Sequence, residues 1–306
     1  MKIISHITSD YQFKSTHLYN SQEYIHQLNA PIKSFYQIDN ELKKVLSAIH
    51  FQIIEDKAIS LKNAPFGGFE NNEKLYQGSI NEFIAYVLND FEDQNIKEII
   101  IKNAPSFYNQ NCPIDFTQLL GSQEFEPIAD EINHHIEITE KPMTDLMHAM
   151  EKRKHEKCVN SNFKFQKEPI SQFDEIFQFI YACRKEKGQA LSMKQEDLQN
   201  MAMALPESYL LFSVRDGSKL IAASICIVVN SRVIYNFYPA SKLTYNNFSP
   251  MVFLVAGIYQ YGQKNGVEIL DLGTSMLNNK PNESLIKFKE NIGGQKTQRQ
   301  ILQLCL

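Results

Sequence analysis

Lys44-Val45-Leu46-Ser47-Ala48-Ile49-His50-Phe51-Gln52-Ile53-Ile54-Glu55-Asp56-Lys57-Ala58-Ile59-Ser60 aligns without a gap on Lys219-Leu220-Ile221-Ala222-Ala223-Ser224-Ile225-Cys226-Ile227-Val228-Val229-Asn230-Ser231-Arg232-Val233-Ile234-Tyr235. Each copy reads as two apolar strands joined by a tight polar turn, at Glu55-Asp56 in the first and Asn230-Ser231 in the second. A helical stripe follows each copy. The first is Ile80, Phe83, Ile84, Val87, Leu88 and Phe91; the second and broader is Val252, Phe253, Val255, Ala256, Ile258 and Tyr259. A short strand follows each helix, Lys97 to Ile101 and Val267 to Leu272, and the connectors match as well, Asn95 with Asn265 and Glu98 with Glu268. Hairpin, helix and strand thus occur twice, the signature of a duplicated unit. Antiparallel hairpins with one helical crossover predict a mixed sheet in each copy.

The length of 306 residues suits two modules of about 150 each. Thr139-Glu140-Lys141-Pro142 breaks the pattern, which predicts modules over 1–141 and 142–306. Early in the first module, Ser21 to Asn29 reads as helical and Ser34 to Ile38 as extended. Helices are expected over Thr144–Cys158, Gln172–Lys187 and Gln195–Ala204, then a strand from Tyr209 to Val214 with a turn at Asp216-Gly217-Ser218. Apolar residues make up 43% of the chain and charged residues 22%, as in ordinary globular proteins. No window approaches the roughly 18 apolar residues of a membrane span, and the first residues turn polar too soon for a leader, so a cytoplasmic location is expected. The five cysteines are scattered and never spaced as CxxC, which argues against disulfide or zinc frameworks and for small, mostly buried apolar residues. Charge divides unevenly. Residues 1–150 carry 11 Lys, no Arg and 21 acidic residues; residues 151–306 carry 20 basic and 14 acidic residues. A basic second half suits an anionic ligand, though independent drift of two modules explains it equally well.

The hairpin Tyr209 to Tyr238, the Pro250-led helix, Asp271-Leu272-Gly273, and Phe288-Lys289 with Gly293-Gly294 together resemble the C-terminal module of FemAB-like proteins, which are double-GNAT transferases. Ala64-Pro65-Phe66-Gly67-Gly68-Phe69 is similar to the Pro-x-Gly-Gly-aromatic loop of their first module. The resemblance covers nearly the whole chain in order and spacing. It implies an α/β (α+β) protein of two tandem GNAT-type modules, each a mixed, mostly antiparallel sheet flanked by helices. It also implies transfer of an acyl or aminoacyl group from a thioester or ester donor to an amine. Two departures stand out. GNAT acetyltransferases grip the coenzyme A pyrophosphate with a Gly-rich loop at a helix N-terminus, whereas the matching stretch Ser241 to Pro250 contains no glycine. The basic run Lys152-Arg153-Lys154-His155-Glu156-Lys157 holds one Arg where relatives carry an Arg-rich helix start.

The resemblance assigns Lys289, of the Phe-Lys pair, to the oxyanion of acyl transfer, where a fixed cation is worth on the order of 3 kcal/mol. Its sequence places it at the edge of a helix whose apolar face is Leu285, Phe288 and Ile292, and a solvated surface lysine fits that position too. Asp271, at a strand end, is a candidate to orient the acceptor amine or take its proton; a turn aspartate fits as well. Tyr238 is a candidate donor to the thioester or leaving group, with a core aromatic as the alternative. Lys242, Ser249 (as N-cap before Pro250) and Phe288 are the donor-binding candidates. Arg184-Lys185-Glu186-Lys187 complements a helix dipole, which suffices to explain it, although an anionic donor could also use it. His134 and His135 alternate on a strand and point to opposite faces, so no shared metal is expected. No Gly-x-Ser-x-Gly occurs and no cysteine has a nucleophile context, which favours direct transfer without a covalent enzyme intermediate. The leading expectation is an N-acyltransferase with acetyl-CoA or another acyl-CoA as co-substrate, no tightly bound cofactor, and a small-molecule or sugar-amine acceptor. The alternatives are an aminoacyl-tRNA-dependent transferase on a cell-wall precursor, against which the net charge of -4 counts, and a non-catalytic GNAT-like binding protein.

Overall fold

The computed structural model describes residues 2–8, 10–71, 75–108 and 114–306. The chain divides into two compact units, Met1–Glu131 with Gln298–Leu306, and Ile132–Thr297. The division falls ahead of the Pro142 break because one strand, Glu126–Glu137, runs through it without interruption. The last nine residues return to the first unit rather than staying in the second.

Unit 1 contains β1 (Lys2–Ile4), α1 (Gln22–His26), β2 (Ile32–Asp39), β3 (Lys44–Ile54), β4 (Lys57–Ile59), β5 (Glu70–Asn71), α2 (Gln77–Asp93), β6 (Glu98–Lys102) and α3 (Phe116–Gly121). Strands β1 to β4 form antiparallel neighbours, β4 pairs β6 in parallel, and β5 pairs β3. Next come β7 (Glu126–Glu137) and, in unit 2, α4 (Ala149–Asn160), β8 (Lys164–Glu168), α5 (Phe173–Glu186), α6 (Gln195–Ala204), β9 (Tyr209–Asp216), β10 (Lys219–Asn230) and β11 (Val233–Ser241). The chain ends with α7 (Pro250–Lys264), β12 (Ile269–Thr274), β13 (Met276–Leu277), β14 (Lys280–Pro281), α8 (Glu283–Asn291) and β15 (Gln295–Cys305). In unit 2 the order is β7-β12-β11-β10-β9-β8, with only β11 and β12 parallel.

The repeat holds down to single residues. Ala58 pairs Ile99 in unit 1, and their counterparts Val233 and Ile269 pair in unit 2. One residue out of register with the alignment, the Asp56 carbonyl accepts the amides of Lys97 and Glu98, and the Arg232 carbonyl those of Glu268 and Ile269. The matched Glu98 and Glu268 form ion pairs with the matched Lys57, just after the first turn, and Arg232, the last residue of the second. The edge strands are exchanged between copies. β15, the last strand of the chain, pairs β6 of unit 1, and β7 pairs β12 of unit 2.

Local deviations have local causes. The second turn is Ser231-Arg232, one residue later than the alignment places it, because Asn230 still pairs Val233. The helix expected from Thr144 begins at Ala149; a single 3-10 turn covers Met143–Asp145, and His148 is extended with its amide on the Asn291 carbonyl at 2.8 Å. Ser249 occupies the N-cap position before Pro250 as expected, but its side chain makes no capping hydrogen bond. Its backbone is left-handed (φ 54°) and its hydroxyl donates back to Asn246 O at 3.3 Å, whereas a capping side chain needs an extended backbone. On α8 the buried face is Ile286 and Lys289, with Leu285 and Phe288 only partly covered. Each unit has its own core: α2 lies on the unit 1 sheet through Ile80, Phe83, Ile84, Val87 and Phe91, and α7 on the unit 2 sheet through Val252, Leu254, Val255 and Ile258. Cys158, Cys183 and Cys226 are buried and free, Cys305 is exposed, and Cys112 lies outside the described residues. Among the described residues no helix is long and apolar enough to cross a membrane.

Candidate active site

β11 and β12 pair only over Val233–Tyr235 and Ile269–Asp271; beyond these both strands continue unpaired with one another. Two parallel strands that part in this way leave a fork whose walls are backbone amides and carbonyls. Gly273 sits on the β12 arm with φ +72°, and a Cβ there would lie 2.9 Å from the Tyr235 ring. Only glycine therefore allows the strand to turn so close beneath that ring. Asp271 fixes the turn. Its Oδ1 accepts the Gly273 amide at 2.7 Å and the Asn133 Nδ2 at 3.0 Å, and the residue is buried.

Lys289 reaches this turn from α8. Its Nζ donates to Gly273 O and Thr274 O, both at 2.8 Å, and the side chain is 5% exposed. Burial pushes its pKa down to about 7, the Arg184 charge pushes the same way, and the Asp271 carboxylate opposes both. The helix pattern left a surface position open for Lys289; the packed geometry makes it a desolvated ammonium held by backbone oxygens.

The other arm of the fork also carries a cation. Arg184, near the end of α5, donates to Pro239 O at 3.2 Å on β11 and to Gln189 Oε1 at 3.3 Å. Burial holds its guanidinium below the usual value, while Tyr238 and Tyr235 work the other way. Among the described residues it makes no ion pair, so its charge is met only by neutral oxygens. The sequence offered an anionic donor for this cluster only as the alternative, because a basic residue in a last helical turn is already explained by the helix dipole.

Of the six candidates, Lys289 and Asp271 come together at the β12 turn. Tyr238 is buried with its hydroxyl committed to the loop before α6, accepting the amides of Ser192 and Met193 at 3.0 Å each and sharing a hydrogen bond with the Ser192 hydroxyl. Lys242 has its Nζ 5.8 Å from the Phe179 ring centre, Ser249 bonds only locally, and Phe288 packs on the unit 2 core. Two aromatic residues of the loop that was expected to hold a pyrophosphate turn to Phe163. Tyr245 lies edge-on and Phe248 tilted against Phe163, at 6.0 and 5.2 Å, and Lys157 donates to Asn247 O at 2.8 Å.

Unit 1 has a cavity of about 600 Å³ lined in part by Thr16, His17, Glu70, Asn103, Asp115 and Arg299. Glu70 is buried on β5 and accepts Thr16 N at 2.6 Å and Ser15 Oγ at 2.7 Å. Burial pushes its carboxyl up to about 7 against those hydrogen bonds. His17 Nε2 lies 3.9 Å away, yet burial pushes that imidazole down to about 3, so the contact is not an ion pair at neutral pH. Arg299 is paired with Glu131 and bonded to Pro65 O at 2.8 Å. A lone acid directly after Gly67-Gly68-Phe69 was the available sequence signal for Glu70. The two glycines serve close packing, since a Cβ at Gly68 would meet Asn103 at 2.7 Å.

No family model matches the sequence, and no curated protein matches it. Solved structures do match the fold. FemX aligns over 100% of this chain and 98% of its own, with TM-score 0.72 and 11% identity. The C-terminal domain of a proposed lysylphosphatidylglycerol synthetase from Agrobacterium fabrum aligns over 88% and 83%, with TM-score 0.58 and 11% identity. A tandem GNAT protein from the clavulanic acid biosynthesis pathway aligns over 89% and 82%, with TM-score 0.52 and 9% identity. The chain has the FemAB-like tandem GNAT fold that its residues resembled.

Proposed function

We propose that this tandem GNAT-fold chain is an acyltransferase that moves an acyl group onto an amine by direct attack at the fork of unit 2. The observation that carries the reading is the pair of cations at the fork, the buried Lys289 on the β12 arm and the half-buried Arg184 on the β11 arm. Attack of a neutral amine on an ester or thioester carbonyl puts negative charge on the carbonyl oxygen. Collapse then expels the alcohol or thiol, and the amine proton leaves with it. A desolvated ammonium fixed to two carbonyls meets that charge with little reorganisation. Asp271 positions the β12 turn that carries the lysine's acceptors. Arg184 suits an anionic group of the donor, such as a phosphate.

The donor favoured is an aminoacyl ester, as in aminoacyl-tRNA. The loop expected to hold a pyrophosphate has no glycine, the Ser249 side chain does not cap α7, and the full-length likeness is to FemX. An acyl-CoA donor is the second reading, favoured by the basic second half and by Lys242 beside the same loop. Thermal shift with charged tRNA, acetyl-CoA and free coenzyme A separates them, since a ligand of the native state raises Tm by mass action. Charged tRNA is expected to stabilise the chain and Arg184→Met to weaken the effect. A shift only with acetyl-CoA reverses the donor choice, and no shift with any of them overturns the reading.

A further inference from the structure

His134 is fully buried on β7, opposite Gly273 of β12, the residue whose carbonyl receives the Lys289 ammonium. Its Nδ1 lies 2.9 Å from Ser275 Oγ. Its Nε2 is buried, and no protein group among the described residues lies within hydrogen-bond distance of it. Ser275 itself is fixed, with its amide on Ile132 O at 2.7 Å and its carbonyl accepting Asn282 N at 2.8 Å. A buried ring nitrogen with no protein partner costs about 1–3 kcal/mol unless a ligand or water meets it. Burial, and next the Lys289 charge, push the imidazole down to about 4, so it is neutral around pH 7. A neutral imidazole beside a buried ammonium adds no repulsion and still offers one N–H.

We propose that Ser275 and His134 form a second donor arm of the acyl-transfer site: Ser275 Oγ–H donates to Nδ1, this fixes the proton on Nε2, and Nε2–H hydrogen-bonds the acyl oxygen alongside Lys289. The proposal rests on the acyl-transfer reading and adds a catalytic residue to it. It explains why a histidine stands where an apolar residue would pack without an unmet nitrogen, and why a serine follows Gly273-Thr274. Lys289 supplies charge, and the imidazole supplies direction. Two donors define where the oxygen sits, as one mobile ammonium does not.

Nitrogen NMR on the full-length chain reads the tautomer directly. Nε2 is expected to carry the proton and Nδ1 to be bare, with the preference lost in Ser275→Ala. A proton on Nδ1 overturns the proposal whatever the turnover. Replacements then separate the two nitrogens. His134→Gln keeps an amide donor near the Nε2 position and is expected to retain transfer within about tenfold. His134→Asn keeps only the Nδ1 side and is expected to lose about 10²-fold in single-turnover rate. Equal rates for His134→Asn and the wild type overturn the proposal alone. Charged tRNA or acetyl-CoA should also move the Nε2–H resonance. A moved resonance without transfer sinks the acyl-transfer reading and the catalytic role of His134 with it, leaving Nε2–H as a ligand contact only; transfer without movement sinks the donor arm alone.

Discussion

Replacing Lys289 by Met tests the fork most sharply, because the exchange keeps the length of the side chain and removes its charge. In the folded chain the ammonium pKa is lowered from 10.5 to about 7, mainly by burial. A depressed lysine means that the folded state releases a proton that the unfolded chain still holds between pH 7 and 10.5. Stability from this group therefore rises with pH through that window, by up to about 1.4 kcal/mol per pH unit. With the folded value at about 7, half the lysine is already neutral at pH 7 and almost all of it at pH 9. The wild type should gain about 2 kcal/mol relative to Lys289→Met between those two values. At pH 7 the variant sheds a buried charge but leaves two carbonyls, those of Gly273 and Thr274, without their donor. Those effects oppose each other, so the difference at a single pH is small beside the slope. Urea denaturation at pH 7, 8 and 9 measures the slope through the midpoint at constant m. Parallel wild-type and variant curves would show that Lys289 is solvated, and the fork argument would fall with it. Transfer activity should drop about 10²-fold, the scale of losing one oxyanion donor.

The other expectations concern the two units separately. Glu70 is the reverse case. Its carboxyl is raised from 4.5 to about 7, so its contribution is full below pH 4.5 and is lost as pH rises through 7. Glu70→Gln should gain about 2 kcal/mol on the wild type between pH 5 and 8 by denaturant titration, and a constant difference would refute its burial. His17 and His50, lowered by burial to about 3 and about 4, act oppositely and only below pH 6.5, so the Gln variant should unmask a steeper acid loss. Gly273→Ala combines a left-handed backbone with a 2.9 Å clash against Tyr235 and should cost about 2 kcal/mol. A neutral result in urea would mean that the β12 turn relaxes freely.

The duplication was legible without coordinates, because it is carried by strand alternation and helix stripes, which are local patterns. Ala58 and Val233, matched in the ungapped alignment of 44–60 on 219–235, pair in the structure with Ile99 and Ile269, which are equivalent by the Glu98–Glu268 match. The same patterns placed Gln195–Ala204 to the residue and Phe173–Glu186 to within one. The capping bond of the Ser249 side chain was misread because capping depends on a backbone angle, and composition cannot separate an extended serine from a left-handed one. The exchange of β7 and β15 was invisible for a similar reason, since a strand's sequence encodes its faces but not its partner.

Residue type alone thus determined that two α/β modules would form and that a Phe-Lys pair would lie on a short capped helix near a glycine turn. Only the tertiary structure decided which polar groups lose their water. Lys289, Glu70 and His134 look like ordinary surface residues in a list, and each is desolvated by segments far away in the chain. Arg184 acquires its place only when α5 meets Pro239 on a strand more than fifty residues later. Desolvation and charge proximity are sums over neighbours in space, and those sums set the chemistry of the fork.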